Sequence, residues 1–464
     1  MNLMITFKKI IGQAVLIVST SLVGLHAATA AIAIEHWTQP SGAQVFLVQS
    51  HAIPMVDVQL DFDAGSRRDP AAQVGLASVT ASMSGMGVRA NPARGEPALD
   101  ENALGEAWAD LGANFGGHAS SDRMSFALRS LTYPDLLAKA VPLAARQLAE
   151  PSFPADIWQR ERETMSAAIK EANTRPATLA QRAFDQAVYG VHPYGYDTTE
   201  DSLKRIEVTH MAELYRQMLQ PCRAKVSLVG ALTRAQADAL VAQLLAGLAG
   251  SQSSTAGDAH CQALPAVVEV APLSQASEQR IAFDSAQAHV LLGQPGYKRN
   301  DPDFFALLVG NYILGGGGFV SRLTNEVREK RGLSYSVYSY FAPGLHAGAF
   351  TLGLQTRPDQ ADQALQVSRD VLARFVADGP TEAELQAAKD NLIGGFALRL
   401  DSNRKLLDNV ANIAWNNLPL DYLDNWTQRV QNITVADIKA AFQRKLQPDR
   451  MVTVVLGGAG ASAQ

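Results

Sequence analysis

The spacing of apolar residues predicts short strands and long helices along the whole chain. Apolar and polar residues alternate over 44–48 and 56–64, a period of two that is typical of half-buried strands. Apolar residues recur at helical spacing over 155–173 and 382–400, and a proline precedes each of these segments. Lys389 is expected on the solvated face of the second helix. Strands clustered with long helices indicate an α+β sandwich.

Two segments of the chain repeat one another. Residues 206–230 align without a gap to residues 433–457, an offset of 227 residues, and Leu-Gln-Pro and the final glycine coincide. Such self-similarity usually marks one structural unit that is used twice. Each copy predicts a helix that stops before a proline and then a short strand, at 211–219 and 226–229 in the first copy and at 438–446 and 452–456 in the second.

A stretch between the two repeats has the composition of a linker. Residues 247–265 are rich in Gly, Ser and Ala and poor in large apolar side chains. We therefore expect an N-terminal domain over 31–246, a linker over 247–275 and a C-terminal domain over 276–464.

The first thirty residues have the three parts of a secretory signal peptide. Lys8 and Lys9 precede an apolar stretch over 10–25, and Ala28-Thr29-Ala30 supplies small residues in an A-x-A arrangement. An uncleaved membrane anchor is the alternative, but polar residues interrupt the stretch, and a spanning helix needs about 20 mostly apolar residues. We expect cleavage of residues 1–30, a periplasmic or secreted location, and no membrane association of the mature chain.

Charge and cysteine content limit the classes of function. The net charge of −5 gives no electrostatic footprint for nucleic acid. The two cysteines, Cys222 and Cys261, allow one disulfide in an exported protein, and two unpaired thiols are the alternative.

Several short motifs follow one another along the chain. They are Gly75–Ala77, Glu161–Ile169 and His192–Gly195 in the first half, and Leu314–Leu323 and Glu326–Tyr335 in the second. Together they resemble the pitrilysin/insulinase-type (inverzincin) zinc peptidases, and the likeness covers nearly the whole mature chain. The resemblance implies a duplicated fold of two homologous α/β sandwich domains joined by a linker.

The zinc-binding residues of that family are missing here. Its H-x-x-E-H helix supplies two histidine ligands and a general base, and a distant glutamate is the third ligand. The positions that match are Ser78, Ala81, Ser82 and Ala168. No two of the nine histidines lie within five residues of each other, so a zinc site assembled from scattered histidines is the remaining alternative. Without zinc to activate water, we do not expect peptide hydrolysis by this chain.

The resemblance assigns a role to Arg328 and Tyr335. In the family, an Arg and a Tyr seven positions apart reach across to the zinc site, hold the substrate and help to polarise its scissile carbonyl. The pattern predicts a helix that ends over 326–330, a turn at Gly332 and an alternating strand over 333–341 that carries Tyr335. The structural alternative is an ordinary strand tyrosine and a solvated helix charge.

The run of four glycines, Gly315, Gly316, Gly317 and Gly318, is expected to let a peptide substrate approach closely. It lacks the G-K-[ST] ending of a phosphate loop, so a tight turn or a peptide-binding loop is favoured over nucleotide binding.

These features predict the non-catalytic half of a two-subunit zinc peptidase, as the family resemblance implies. The chain would have no cofactor of its own; zinc would be held by an H-x-x-E-H partner of the same family, and the pair would bind a peptide or an unfolded protein. The alternative from another class is a structural or binding pseudoenzyme with no role in proteolysis. The third hypothesis is an active peptidase with an unrecognised site.

Overall fold

Two mixed β-sheets, one in each half of the chain, form the framework of the fold. The computed structural model describes residues 32–248 and 261–458. The predicted signal peptide over 1–30 and residues 249–260 of the predicted linker lie outside the described residues. The boundaries of the linker stay a prediction.

The first half contains eight strands and eight α-helices among the described residues. The strands are β1 (Glu35–Thr38), β2 (Gln44–Gln49), β3 (Met55–Phe62), β4 (Gly87–Val88), β5 (Leu99–Asp100), β6 (Asn114–Ala119), β7 (Met124–Leu131) and β8 (Lys225–Gly230). The helices are α1 (Leu76–Met83), α2 (Glu101–Asp110), α3 (Pro134–Ala149), α4 (Ala155–Ala172), α5 (Pro176–Tyr189), α6 (Glu200–Lys204), α7 (Val208–Met218) and α8 (Arg234–Leu245).

The second half contains five strands and six α-helices among the described residues. The strands are β9 (Ser277–Ile281), β10 (Ala288–Tyr297), β11 (Ser336–Phe341), β12 (Gly348–Thr356) and β13 (Val452–Leu456). The helices are α9 (Phe304–Asn311), α10 (Ala361–Asp378), α11 (Glu382–Gly394), α12 (Asn403–Trp415), α13 (Trp426–Asn432) and α14 (Val435–Lys445). Two π-helical turns, Tyr312–Gly316 and Thr324–Glu329, follow α9.

The two large sheets have the same topology. The order in the first is β1-β2-β8-β3-β7-β6, and five of its strands correspond to the order β9-β13-β10-β12-β11 of the second. In each sheet only one of these strand pairs is parallel, β2 with β8 and β9 with β13. The predicted α+β class with two homologous α/β sandwich domains is therefore confirmed.

The two halves exchange one helix with each other. Helix α5 of the first half packs on β10 and β13 of the second through an apolar stripe at four-residue spacing, Ala180, Phe184 and Val188. Helix α12 of the second half packs on β8 and β3 of the first. Residues 176 and 403, where these helices start, differ by the same 227 residues as the sequence repeat.

Polar side chains join the halves at a second place, the seam formed by Asp122, His192, Tyr194, Glu269 and His346. The Tyr194 hydroxyl donates to Asp122 Oδ1 at 2.5 Å, and it accepts from the His346 backbone N–H at 3.2 Å. The rings of His192 and His346 meet edge to face, with centroids 4.9 Å apart. Glu269 lies 3.2 Å from His346 Nδ1.

A disulfide fixes the chain where the described part resumes, within the predicted linker. Cys222, just before β8, is bonded to Cys261, and their Cα atoms are 5.7 Å apart. The structure therefore favours the bonded alternative over two free thiols. Among the described residues, no helix has the length and apolar character needed to cross a membrane.

Two details of the predicted 382–400 helix are wrong. Helix α11 ends at Gly394, and a 3₁₀ turn over Phe396–Arg399 follows, because the Gly394-Gly395 pair does not favour a continued helix. Lys389 is not on a solvated face, since it is only 9% exposed and its Nζ donates to the Gln431 carbonyl at 2.7 Å.

Candidate functional site

Helix α1 carries three of the four positions where the family pattern requires zinc chemistry. The helix begins after Gly75, which adopts a left-handed conformation with φ of 103°, and the Asp69 carboxylate accepts from the N–H groups of Gly75 and Ala77. Ser78 and Ser82 lie one turn apart and are both exposed. The chain thus retains a helix that presents two side chains to solvent at the expected spacing.

The side chains at these positions do not fit a zinc ion. Catalytic zinc is bound by three protein ligands from His, Asp, Glu or Cys. Ser78 and Ser82 offer only hydroxyls, Ala168 on α4 is an exposed methyl group, and Ala81, at the position of the general base, is completely buried. Within residues 32–248 and 261–458, no group of three His, Cys, Asp or Glu side chains is placed to hold a metal ion.

A π-helical turn presents Arg328 in the second half of the chain. Over Thr324–Glu329 the backbone hydrogen bonds run from an N–H group to the carbonyl five residues earlier. The Lys330 N–H, for example, donates to the Asn325 carbonyl. Such wide turns are rare and frequently occur at functional sites. After this helical turn the chain turns again at Gly332, where φ is 61° and the N–H donates to the Arg328 carbonyl at 2.8 Å. The predicted turn at Gly332 is thus present.

Tyr335 does not lie on the strand that the sequence predicts for it. Strand β11 begins at Ser336, so Tyr335 is the residue immediately before the strand. The Ser334 hydroxyl lies 2.6 Å from the carbonyl oxygens of both Ser336 and Gln355, and the pairing of β11 with β12 starts at Ser336 and Gln355. Tyr335 is 83% exposed.

The structure brings Arg328 and Tyr335 together and adds Phe319. The Arg328 Cζ atom lies 4.6 Å from the ring centroid of Tyr335 and 4.6 Å from that of Phe319. Arg328 Nε also lies 3.3 Å from Glu329 Oε1. We call Phe319, Arg328 and Tyr335 the arginine stack. Its three residues come from three different turns of the chain, so the stack depends on the fold of this region.

The four glycines differ in what they do. Gly315 is buried, and a Cβ atom there would lie 2.5 Å from the Ser339 backbone N of β11. At Gly317 a Cβ would lie 2.7 Å from the Tyr312 carbonyl oxygen. Gly316 and Gly318 are exposed, and Gly318 has φ of 60°. The run is therefore a tight turn against β11, and its role in peptide binding stays a prediction.

Sequence reasoning missed Phe319, and it did not predict that Phe319 and its neighbour Val320 are exposed. Both side chains are exposed, at 71% and 72%. A signal was present, because two large apolar residues directly after a glycine turn belong to no strand or helix period.

Comparison with known proteins shows which family this chain belongs to. A crystal structure of a peptidase M16 inactive domain from Pseudomonas fluorescens is 34% identical to this chain, and the match covers 93% of this chain and 99% of that one with a TM-score of 0.84. This chain belongs to peptidase family M16. The model "Insulinase (Peptidase family M16)" matches residues 44–202, and the model "Peptidase M16 inactive domain" matches residues 205–392. The resemblance inferred from the motifs is confirmed.

Relatives of this M16 chain bear two kinds of name. It is 29% identical over 285 residues to an uncharacterized zinc protease of Streptomyces coelicolor, a match that covers 60% of each protein. It is 24% identical over 430 residues to the "Non-peptidase homolog YmxG" of Helicobacter pylori, which covers 90% of this chain and 93% of that protein. The chain is thus an M16 member of the inactive-domain type and a homologue of proteins named zinc proteases.

Proposed function

We propose that this chain is the non-catalytic subunit of a two-subunit M16 zinc peptidase. It would hold the peptide substrate and supply Arg328 and Tyr335 to the zinc site of a partner of the same family that carries H-x-x-E-H. Zinc in the partner would supply the activated water for hydrolysis. This chain would bind and orient the peptide and donate hydrogen bonds to its scissile carbonyl, but it would not activate the water.

One observation carries the proposal: the chain keeps an assembled Arg328–Tyr335 pair although its own zinc positions are Ser78, Ala81, Ser82 and Ala168. The guanidinium and the tyrosine ring are 4.6 Å apart, and the phenol is exposed. A protein with a purely structural role has no use for this arrangement on its surface. A subunit that completes the active site of another subunit would use such a pair.

The two side chains suit a peptide backbone in different ways. A guanidinium forms charge-assisted hydrogen bonds with a carbonyl or carboxylate oxygen, and these are about twice as strong as neutral ones. The Tyr335 hydroxyl is a single donor, which can stabilise the oxygen of a scissile carbonyl as negative charge develops on it. Arg328 would therefore contribute mainly to binding and Tyr335 mainly to rate.

An exported location fits this role. The pattern over 1–30 predicts a signal peptide, and the bond between Cys222 and Cys261 is of the kind that persists in oxidising compartments such as the periplasm. We propose that the pair assembles there and acts on peptides or unfolded proteins.

Reconstitution tests the proposal. A candidate partner, an H-x-x-E-H protein of similar length sought among the neighbouring reading frames, is co-expressed with this chain, and the pair is purified through a tag on this chain. Peptide cleavage is then measured for each subunit and for the pair. We expect cleavage by the pair, none by this chain, and much slower cleavage by the partner.

The alternative hypothesis, a structural or binding pseudoenzyme, makes a different prediction in the same experiment. If this chain is a structural or binding pseudoenzyme, the partner cleaves peptides equally well without it, or with a variant in which both Arg328 and Tyr335 are replaced. Either result would reject the proposal.

A further inference from the structure

The terminal nitrogens of Arg328 have no protein partner in the described part of the chain. Its only ion pair there is the contact between Nε and Glu329 Oε1 at 3.3 Å, and its remaining contacts are the rings of Phe319 and Tyr335. By contrast, nearby Arg322 gives Glu384 two hydrogen bonds, at 2.6 and 2.7 Å. Arg328 is therefore held by aromatic rings, and its two terminal nitrogens make no hydrogen bond within the described structure.

An arginine held in this way is ready to bind an oxygen ligand. A long side chain on a surface turn loses rotamer freedom when it binds, which weakens the binding. Aromatic rings attract a guanidinium through its charge and its plane, while a carboxylate partner would occupy the N–H groups. Two rings therefore orient Arg328 without competing with a substrate carbonyl or carboxylate.

Phe319 has no other evident role in the described structure. Its side chain is 71% exposed and is not among the buried apolar residues of the described structure. A phenylalanine in a surface turn contributes little to stability, and its ring has no hydrogen-bonding group. The contact with Arg328 is the interaction that uses the aromatic character of this residue.

The glycine turn explains how Phe319 reaches Arg328. Gly315 brings the backbone against Ser339 of β11, where a Cβ atom would clash. Gly318, the residue before Phe319, has φ of 60°, a conformation that other residues adopt only at a cost. The turn therefore fixes the direction in which the Phe319 ring leaves the backbone.

We infer that Phe319 is a positioning residue, which holds the Arg328 guanidinium ready for a carbonyl or carboxylate oxygen of the peptide substrate. The inference rests on the proposed function and extends it to a residue outside the Arg/Tyr pair. It also gives the glycine turn a specific role, because the turn places the ring that orients the arginine.

Kinetics of the reconstituted pair test the inference. Replacement of Phe319 by Leu removes the ring but keeps an apolar side chain. We expect KM to rise about 2-fold to 30-fold, which corresponds to a cation–π contribution of about 0.5 to 2 kcal/mol, with kcat nearly unchanged. Phe319→Tyr keeps a ring and should restore KM. Val320→Ala is the matched control, because it shortens the adjacent exposed apolar side chain, and it should leave KM unchanged.

A second measurement needs no partner subunit. In this chain labelled with ¹⁵N-arginine, the Nε–Hε resonance of Arg328 is assigned from its loss in Arg328→Lys. Ring currents from Phe319 and Tyr335 should displace this resonance, and Phe319→Leu should move it toward the position of an unstacked arginine. Phe319→Tyr should leave it in place.

The outcomes separate the inference from the proposed function. A raised KM in Phe319→Leu, rescued by Phe319→Tyr and accompanied by the resonance shift, supports the inference. An unmoved resonance overturns it. If Arg328→Ala raises KM and Phe319→Leu does not, the inference fails and the proposed function stands. If the pair is fully active with both Arg328 and Tyr335 replaced, the proposed function fails and this inference fails with it.

Discussion

The hydroxyl of Tyr335 is the group whose removal tests the proposed mechanism with the least disturbance. The side chain is 83% exposed, and its ring packs on Arg328. Tyr335→Phe keeps the ring, so the fold and the assembly should be nearly unchanged. In the reconstituted pair we expect kcat and kcat/KM to fall together by about 10-fold to 10³-fold, because a donor used mainly in the transition state is lost.

The same chemical change elsewhere provides the control. Tyr133, before α3 in the first half, is 50% exposed, and Tyr133→Phe should leave the steady-state rates unchanged. Full activity of the Tyr335→Phe pair would show that this hydroxyl has no part in the reaction.

His192 in the seam predicts how stability depends on pH. Burial, and then repulsion from His346 and Arg67, lowers the pKa of His192 below 6.5, although Glu269 and the Val268 backbone act in the opposite direction. Between the lowered value and 6.5 the unfolded chain binds more protons than the folded one. The contribution of His192 to the free energy of unfolding is therefore complete above about pH 6.5 and decreases on acidification through this window.

Replacement of His192 isolates this contribution. The free energy of unfolding of His192→Gln, measured by urea denaturation between pH 5 and 8, should decline less steeply on acidification than that of the unchanged protein. Equal slopes would show that His192 does not titrate differently in the folded and unfolded states.

At the level of elements, helix α5 should contribute strongly to the stability of the half that it packs against. Phe184 is completely buried on the second sheet, where a Cβ on Gly293 would lie 2.7 Å from its Cζ. Phe184→Ala should lower the free energy of unfolding by about 3 to 5 kcal/mol through lost burial and a cavity. Gln186→Ala, at an exposed position of the same helix, should have little effect. A loss below 1 kcal/mol in Phe184→Ala would contradict this packing.

The disulfide between Cys222 and Cys261 should also contribute to the stability of the fold. Labelling of the unfolded, unreduced protein should detect no free thiol. Because the cysteines are 39 residues apart, reduction should lower the free energy of unfolding by about 4 kcal/mol on the chain-entropy model. Two reactive thiols before reduction, or an unchanged denaturation midpoint after it, would contradict the prediction.

The sequence predicts where helices and strands lie better than it predicts which other elements they pack against. The repeat at 206–230 and 433–457 correctly predicts α7 with β8 and α14 with β13, because apolar periodicity and the proline after each helix are local signals. It does not predict that α5 and α12 cover each other's sheets, since an apolar stripe does not specify the surface that it packs against. The burial of Lys389 is missed for the same reason: its partner is the distant Gln431 carbonyl.

The candidate site could be predicted from the sequence only in part. The family resemblance assigns Arg328 and Tyr335 to one site and the pattern predicts the turn at Gly332, and the structure places the Arg328 Cζ atom 4.6 Å from the centroid of the Tyr335 ring. The π-helical turn rests on backbone bonds five residues apart within one segment, and Tyr335 precedes a strand that starts where Ser336 pairs with the distant Gln355. Contacts of this kind leave no periodic trace in the sequence.

At the scale of the whole molecule, the residues at the four degenerate zinc positions predict how much zinc the purified chain holds. Ser78, Ala81, Ser82 and Ala168 cannot supply three zinc ligands, so the purified chain should hold no stoichiometric zinc by elemental analysis. The reconstituted pair should hold one zinc for each partner subunit. One tightly held zinc per copy of this chain, purified without the partner, would contradict the prediction.

The exchange of α5 and α12 bears on how such a chain could have originated. Each half depends on a helix from the other to cover its sheet, and the repeat offset of 227 residues relates the two helices. A half-length ancestor with the same helix could have covered its sheet only with the helix of a second copy, as a domain-swapped homodimer. Duplication and fusion of its gene would then have turned contacts between two molecules into contacts within one. Afterwards the two copies could diverge, and only one of them needed to keep the arginine stack.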